Sequence, residues 1–132
     1  MEPLTITHKR KNSNSSSVNQ QVIGLFGLGN VGNALYHVIA EIPKSKAYIK
    51  RICVKQRNKN RDVPEHLITY NALDIINDTD INLVVELIDN AEEAYSIVKS
   101  ALQNGKSVVS GNKTMLAHHL PELIPGVCVG NP

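Results

Sequence analysis

Gly27, Gly29 and Gly32 are spaced G-x-G-x-x-G within "VIGLFGLGNVGNALYHVIAEI", Val22 to Ile42. A short apolar run leads into them and a helix-like pattern leads out. At this spacing each glycine has its own physical role. Gly27 permits a tight turn out of a strand. Gly29 lets the backbone come close to a pyrophosphate. Gly32 lets the following helix pack tightly on the strand. A helix starting near Asn30 aims its free N–H groups and positive dipole end at phosphates, with Asn30 and Val31 in its first turn. The motif alone is weak, and a glycine turn needed only for packing is the plain alternative. Its place between a strand and a helix favours dinucleotide binding.

The second group of chemically able residues follows about 20 residues later. An NAD-preferring site places an Asp or Glu there for the ribose 2′-hydroxyl. This chain has "VKQRNKNRD", with Lys55, Arg57 and Lys59 and no acid at the strand exit. Cations suit the added charge of a 2′-phosphate, so the cofactor expected is NADP, with NAD kept open. Lys55 is the strongest single candidate because it directly follows the strand. A solvated basic loop is the alternative reading.

The third group lies at the ends of two later apolar runs. "VVELIDN" puts Glu86 inside a buried-looking strand, where a carboxylate needs a partner. Asn90 at its exit is suited to cap a helix, with Glu93 as a capping-box partner. "VVSGNK" ends in Asn112 and Lys113. A lysine there can polarise a carbonyl or hold a carboxylate. The alternative, a surface lysine, sits awkwardly at a positive helix start. His118 and His119 are adjacent, so they point to different faces of a helix and are read as surface residues. No metal site and no Ser–His–Asp or Cys–His constellation is expected.

These residues need a scaffold, and the hydrophobic pattern supplies one. Strand signals cover Gln21–Phe26, Ala47–Val54, Leu67–Tyr70, Asn82–Ile88 and Ser107–Ser110. Helix signals fall between them. The first has Ala34, Leu35, Val38, Ile39 and Ile42 at helical spacing and stops at Pro43. A short one runs over Leu73–Ile76. A long one covers Asn90–Gln103, with Ala91, Ala94, Tyr95, Val98 and Leu102 on one stripe and Gly105 as its stop. The last begins near Thr114 and is expected to be interrupted at Pro121 and Pro125. Alternating strands and helices predict an α/β fold, a Rossmann-type doubly wound parallel sheet of about five strands with helices on both faces. Ligands then bind at the carboxyl ends of the strands, by the topological switch point.

Composition bounds the function classes. One domain fits 132 residues. A net charge of +2 argues neither for nucleic acid nor for a membrane surface, and no apolar run is long enough to span a bilayer. Cys53 and Cys128 offer no disulfide framework, which suits a reducing cytoplasm. Residues 1–18 are rich in Ser, Asn and charge and are expected to be a disordered polar tail. The dinucleotide-binding domain is expected over 19–124, with an irregular end at 125–132.

"GLFGLGNVGNAL" and "NLVVELIDNAEEAYSIVKSALQNGKSVVSGNKTMLA", with their spacing, closely resemble the amino-terminal NAD(P)-binding domain of homoserine dehydrogenase, from about Gln21 to Leu120. The pairing of "VVELI" with "GK-VV--NK" is more specific than the glycine motif. The resemblance implies NAD(P)H-dependent interconversion of aspartate semialdehyde and homoserine, on the route to threonine, isoleucine and methionine. It implies that Gly27, Gly29, Asn30, Val31 and Gly32 hold the pyrophosphate. Lys55 and Arg57 would then lie by the adenosine ribose and Asn112 near the nicotinamide end. Lys113 would match the catalytic lysine placed beside the substrate. Gly111 departs from the small residues, such as Ala or Pro, usual at that position. The family continues into a substrate domain that "PELIPGVCVGNP" does not resemble. The 132 residues are therefore expected to bind cofactor without turning over substrate alone, as a truncation, a fragment or a frame-shifted product. A non-enzymatic dinucleotide-binding or regulatory module is the alternative, and homo-oligomerisation is left open.

Overall fold

The structure is a computed structural model that describes residues 4–6, 20–57 and 59–123. Six strands form one sheet. They are β1 (Leu4–Ile6), β2 (Gln21–Phe26), β3 (Ala47–Cys53), β4 (Ile68–Thr69), β5 (Leu83–Glu86) and β6 (Ser107–Ser110). Their spatial order is β1-β6-β5-β2-β3-β4. The last five are mutually parallel, as the near-continuous apolar runs predicted. The chain leaves β2 for β3 in one direction and later leaves β5 for β6 in the other. The β2–β5 boundary, with Phe26 opposite Glu86, is thus the switch point.

β1 corrects the expectation of a structureless tail over residues 1–18. Leu4–Ile6 pair antiparallel with β6, Leu4 opposite Ser110 and Ile6 opposite Val108. A three-residue segment has no periodicity to read. It pairs here because β6 otherwise presents a row of open backbone groups at the sheet edge. The other tail residues, 1–3 and 7–18, lie outside the described residues, as do residue 19 and the irregular end assigned to 125–132.

Helices α1 (Asn30–Ala40), α2 (Leu73–Ile76), α3 (Ala91–Gln103) and α4 (Lys113–Leu123) cover the sheet. Side-chain alternation along β2 shows how. Ile23 and Leu25 face a core shared with Leu35, Tyr36 and Ile39 of α1. Val22 and Phe26 face the opposite core, filled by Ile75 and Ile76 of α2, Val98 of α3 and Met115 of α4. Right-handed crossovers in opposite directions require these two helix layers. Leu25, Ile52, Ile75, Val84, Val98 and Met115 are fully buried. Each contributes roughly 1.5–3 kcal/mol of transfer free energy.

Two details differ from expectation. The inward face of α1 is the buried Gly32 with the half-buried Leu35, Tyr36 and Ile39, whereas Ala34 and Val38 are exposed. The close approach of Gly32 to the Gly27 carbonyl turns that face inward. In addition, α4 runs through Pro121 to a buried Leu123. A proline in the last turn removes one intrahelical hydrogen bond, and burial of Leu123 offsets that loss.

Candidate functional site

A cleft of about 640 Å³ opens at the carboxyl ends of β2, β3 and β5. Gly27, Gly29, Asn30, Val31 and Gly32 all line it, as does Lys55. The three glycines differ in what surrounds them. Gly27 turns out of β2 at φ +97, and an added Cβ would stand 2.7 Å from the Leu87 carbonyl oxygen. A Cβ on Gly32 would stand 2.4 Å from the Gly27 carbonyl oxygen. Around a Cβ on Gly29 there is nothing within 4 Å. Two of the glycines therefore serve the fold, and the third keeps the space over the loop free.

Two helix amino termini border this cleft, and they differ. α3 is self-contained: Asn90 Oδ1 accepts the Glu93 N–H at 2.9 Å, and Glu92 and Glu93 complement its dipole. α1 has Gly29 at its cap, no side-chain cap bond and no acid in its first turn. Its leading N–H groups are left for an external acceptor. A phosphate group fits that end and not the start of α3.

The exit of β3 carries the cations. Lys55, Gln56, Lys59 and Arg61 line the cleft. Lys55 Nζ lies 2.5 Å from Glu93 Oε2 across the opening. Arg57 is turned away from the lining and stacks on the Tyr70 ring, 4.1 Å from its centroid. Tyr70 itself lines the cleft, so Arg57 backs the wall instead of forming it. Cys53 also lines it. Burial, then the charges of Asp74 and Glu93, push its thiol up to about 11, so it is neutral at physiological pH.

At the opposite end a buried network ties β5 to β6. Glu86 is fully buried. Its carboxylate accepts from Ser110 Oγ at 2.6 Å and from the Ile88 N–H at 2.7 Å. This is the partner that a carboxylate in an apolar strand demanded. Burial pushes its pKa up, against the two hydrogen bonds that hold it down. Ser110 Oγ in turn accepts the Asn112 N–H at 3.2 Å.

Asn112 and Lys113 are brought to this end but do not line the cleft. Asn112 is buried, and its polar atoms are engaged internally. Its Nδ2 donates to the Ile88 and Asp89 carbonyls, and its Oδ1 accepts the Met115 N–H to cap α4. Its visible job is to tie the loop that leads into the exposed Lys113 to Ile88 and Asp89, which do line the cleft.

Several working residues escaped the sequence reading. Asn33 Nδ2 donates to the Leu28 and Gly29 carbonyls, both at 3.1 Å, and so pins the glycine loop to α1. Lys106 is buried and donates to the Asp78 and Ile81 carbonyls, which anchors the turn before β5. His119, expected at the surface, stacks on Tyr95 at 3.9 Å with its side chain only 18% exposed, pinning α4 to α3. His118 is exposed. Among the described residues no His, Cys, Asp and Glu cluster could hold a metal, and no helix is long and apolar enough to cross a membrane.

Comparison with known proteins agrees with this arrangement. A family model for the NAD-binding domain of homoserine dehydrogenase matches residues 27–125. The chain is 32% identical over 111 residues to the homoserine dehydrogenase of Bacillus subtilis, covering 77% of this chain and 26% of that one. It is 37% identical over 108 residues to that of Helicobacter pylori, covering 76% and 25%. Among solved structures, homoserine dehydrogenase from Thiobacillus denitrificans superimposes with a TM-score of 0.71 at 31% identity, over 80% of this chain and 26% of that one. The Staphylococcus aureus enzyme at pH 6.5 gives 0.70 at 30%, over 79% and 28%. The chain thus spans about a quarter of the length of the curated relatives it matches. With the glycine loop, the uncapped α1 and the Rossmann-type sheet around them, these matches establish that the chain belongs to the homoserine dehydrogenase family through its NAD-binding domain.

Proposed function

We propose that this chain is the NADP-preferring cofactor module of a homoserine dehydrogenase, serving the interconversion of aspartate semialdehyde and homoserine in threonine, methionine and isoleucine biosynthesis. The observation that carries the cofactor preference is Lys55 at the exit of β3, lining the cleft together with Lys59 and Arg61, where an acid would select NAD. The uncapped start of α1 and the open space over Gly29 receive the pyrophosphate. Bound there, the dinucleotide supplies the reducing or oxidising equivalent. Lys113 serves as the catalytic cation beside the carbonyl that reacts. Asn112 acts through backbone positioning, holding Lys113 at the nicotinamide end. Arg57 supports the adenosine side through Tyr70. A reducing cytoplasm suits the free, neutral Cys53 thiol.

Hydride exchange also requires the substrate within about 3–3.5 Å of the nicotinamide. Nothing among the described residues that line the cleft clamps both ends of an amino acid. The 132 residues alone therefore bind dinucleotide and turn over negligible aspartate semialdehyde. The test is a fluorescence titration of the chain with NADPH and NADH, repeated on Lys55→Ala. NADPH binds more tightly to the wild type, and the substitution removes most of that preference. Equal affinities in the wild type, or a preference unchanged in Lys55→Ala, would refute the reading.

A further inference from the structure

Glu93 occupies the third position of α3, where a glutamate behind an Asn cap ordinarily reaches back to the cap residue's N–H. Half of that box is present, since Asn90 Oδ1 accepts the Glu93 N–H. The Glu93 carboxylate does not complete it. It extends across the mouth of the cleft to Lys55 Nζ at 2.5 Å, and both residues line the cleft. Glu93 is the more firmly held partner, with its side chain 30% exposed against 77% for Lys55. The acid missing in sequence from the end of β3 is therefore supplied in space from the start of α3.

We infer that Glu93 is a specificity-determining residue that competes with a ribose 2′-phosphate for Lys55 and favours an unphosphorylated ribose. The inference rests on the reading of Lys55 as the 2′-phosphate partner. A ribose 2′-hydroxyl can donate to the Glu93 carboxylate and leave the ion pair intact. A 2′-phosphate is repelled by that carboxylate and must draw Lys55 away from it. Lys55 and Glu93 thus pull cofactor choice in opposite directions, and the chain accepts both dinucleotides with a smaller NADPH preference than its basic loop alone would give.

The test measures the dissociation constants of NADPH and NADH for the full chain as wild type, Glu93→Gln, Lys55→Ala and the double variant. Thermal melting confirms that each variant folds. Glu93→Gln raises the NADPH-over-NADH affinity ratio about 3- to 10-fold, the range expected from freeing one exposed ion-paired lysine and removing one like charge. Lys55→Ala lowers the ratio, and in its background Glu93→Gln recovers little NADPH affinity. If Lys55→Ala lowers the ratio but Glu93→Gln leaves it at the wild-type value, the Glu93 inference falls and the Lys55 reading stands. A ratio indifferent to Lys55→Ala overturns both.

Discussion

Substituting Gly32 and Gly29 separately with alanine splits fold from function in one loop. A Cβ at position 32 would lie 2.4 Å from the Gly27 carbonyl oxygen and 3.2 Å from its carbon. Both are backbone atoms with no rotamer to yield, so α1 and the loop must part by about 0.6 Å merely to reach 3.0 Å. Overpacking of this kind costs about 1–3 kcal/mol, and alanine's better helix propensity returns up to about 1 kcal/mol. The net loss for Gly32→Ala is about 1–2 kcal/mol, which is substantial against a domain stability of about 5–15 kcal/mol. It lowers Tm by about 5 °C. Gly29→Ala meets nothing within 4 Å. Its stability stays within about 0.5 kcal/mol of wild type, or rises through the stiffer unfolded chain. Its methyl occupies the space kept open over the loop, so NADPH affinity falls more than about 10-fold, equivalent to about 1.4 kcal/mol. Melting by circular dichroism and fluorescence titration on the same samples read both quantities. If Gly29→Ala melts as low as Gly32→Ala, or binds NADPH like wild type, the assignment of separate roles is wrong.

Glu86 gives a pH test. Burial raises its folded pKa above the ordinary carboxylate value, so the native state holds the proton more tightly than the unfolded chain. Its contribution to stability is full below about pH 4.3 and is lost as pH rises through the raised value. Glu86→Gln removes that slope, so the Tm difference between wild type and variant shrinks or reverses with rising pH; parallel Tm curves would refute it. Lys106→Met leaves the Asp78 and Ile81 carbonyls without their buried donor and destabilises by about 2–4 kcal/mol in urea unfolding, while the dinucleotide affinity of the folded fraction is unchanged.

What could be read from the sequence follows the range of the interactions involved. The glycine loop, the apolar β5 and the Asn90 cap of α3 carry their signal in a few neighbouring residues, and each stands where the pattern put it. Features set by distant partners were not legible. β1 is a strand because of the open edge of β6, roughly a hundred residues away in sequence. His119 is held by Tyr95 on another helix. Asn112 follows β6 as the pattern implied, but its side chain is consumed by the β5 exit and the α4 cap. The pattern of the β3 exit showed cations and a missing acid. It could not show that Glu93, on α3, reaches the same point from across the cleft.

In the proposed function the loop after β2 and the start of α1 hold one dinucleotide. Calorimetric titration of NADPH into the full chain, as wild type and as Gly29→Asp, tests it most directly. Saturable binding of one NADPH per chain is expected in the wild type, abolished in a Gly29→Asp variant that still melts cooperatively. Absence of saturable binding in the wild type, or binding that survives a carboxylate at position 29, would contradict it.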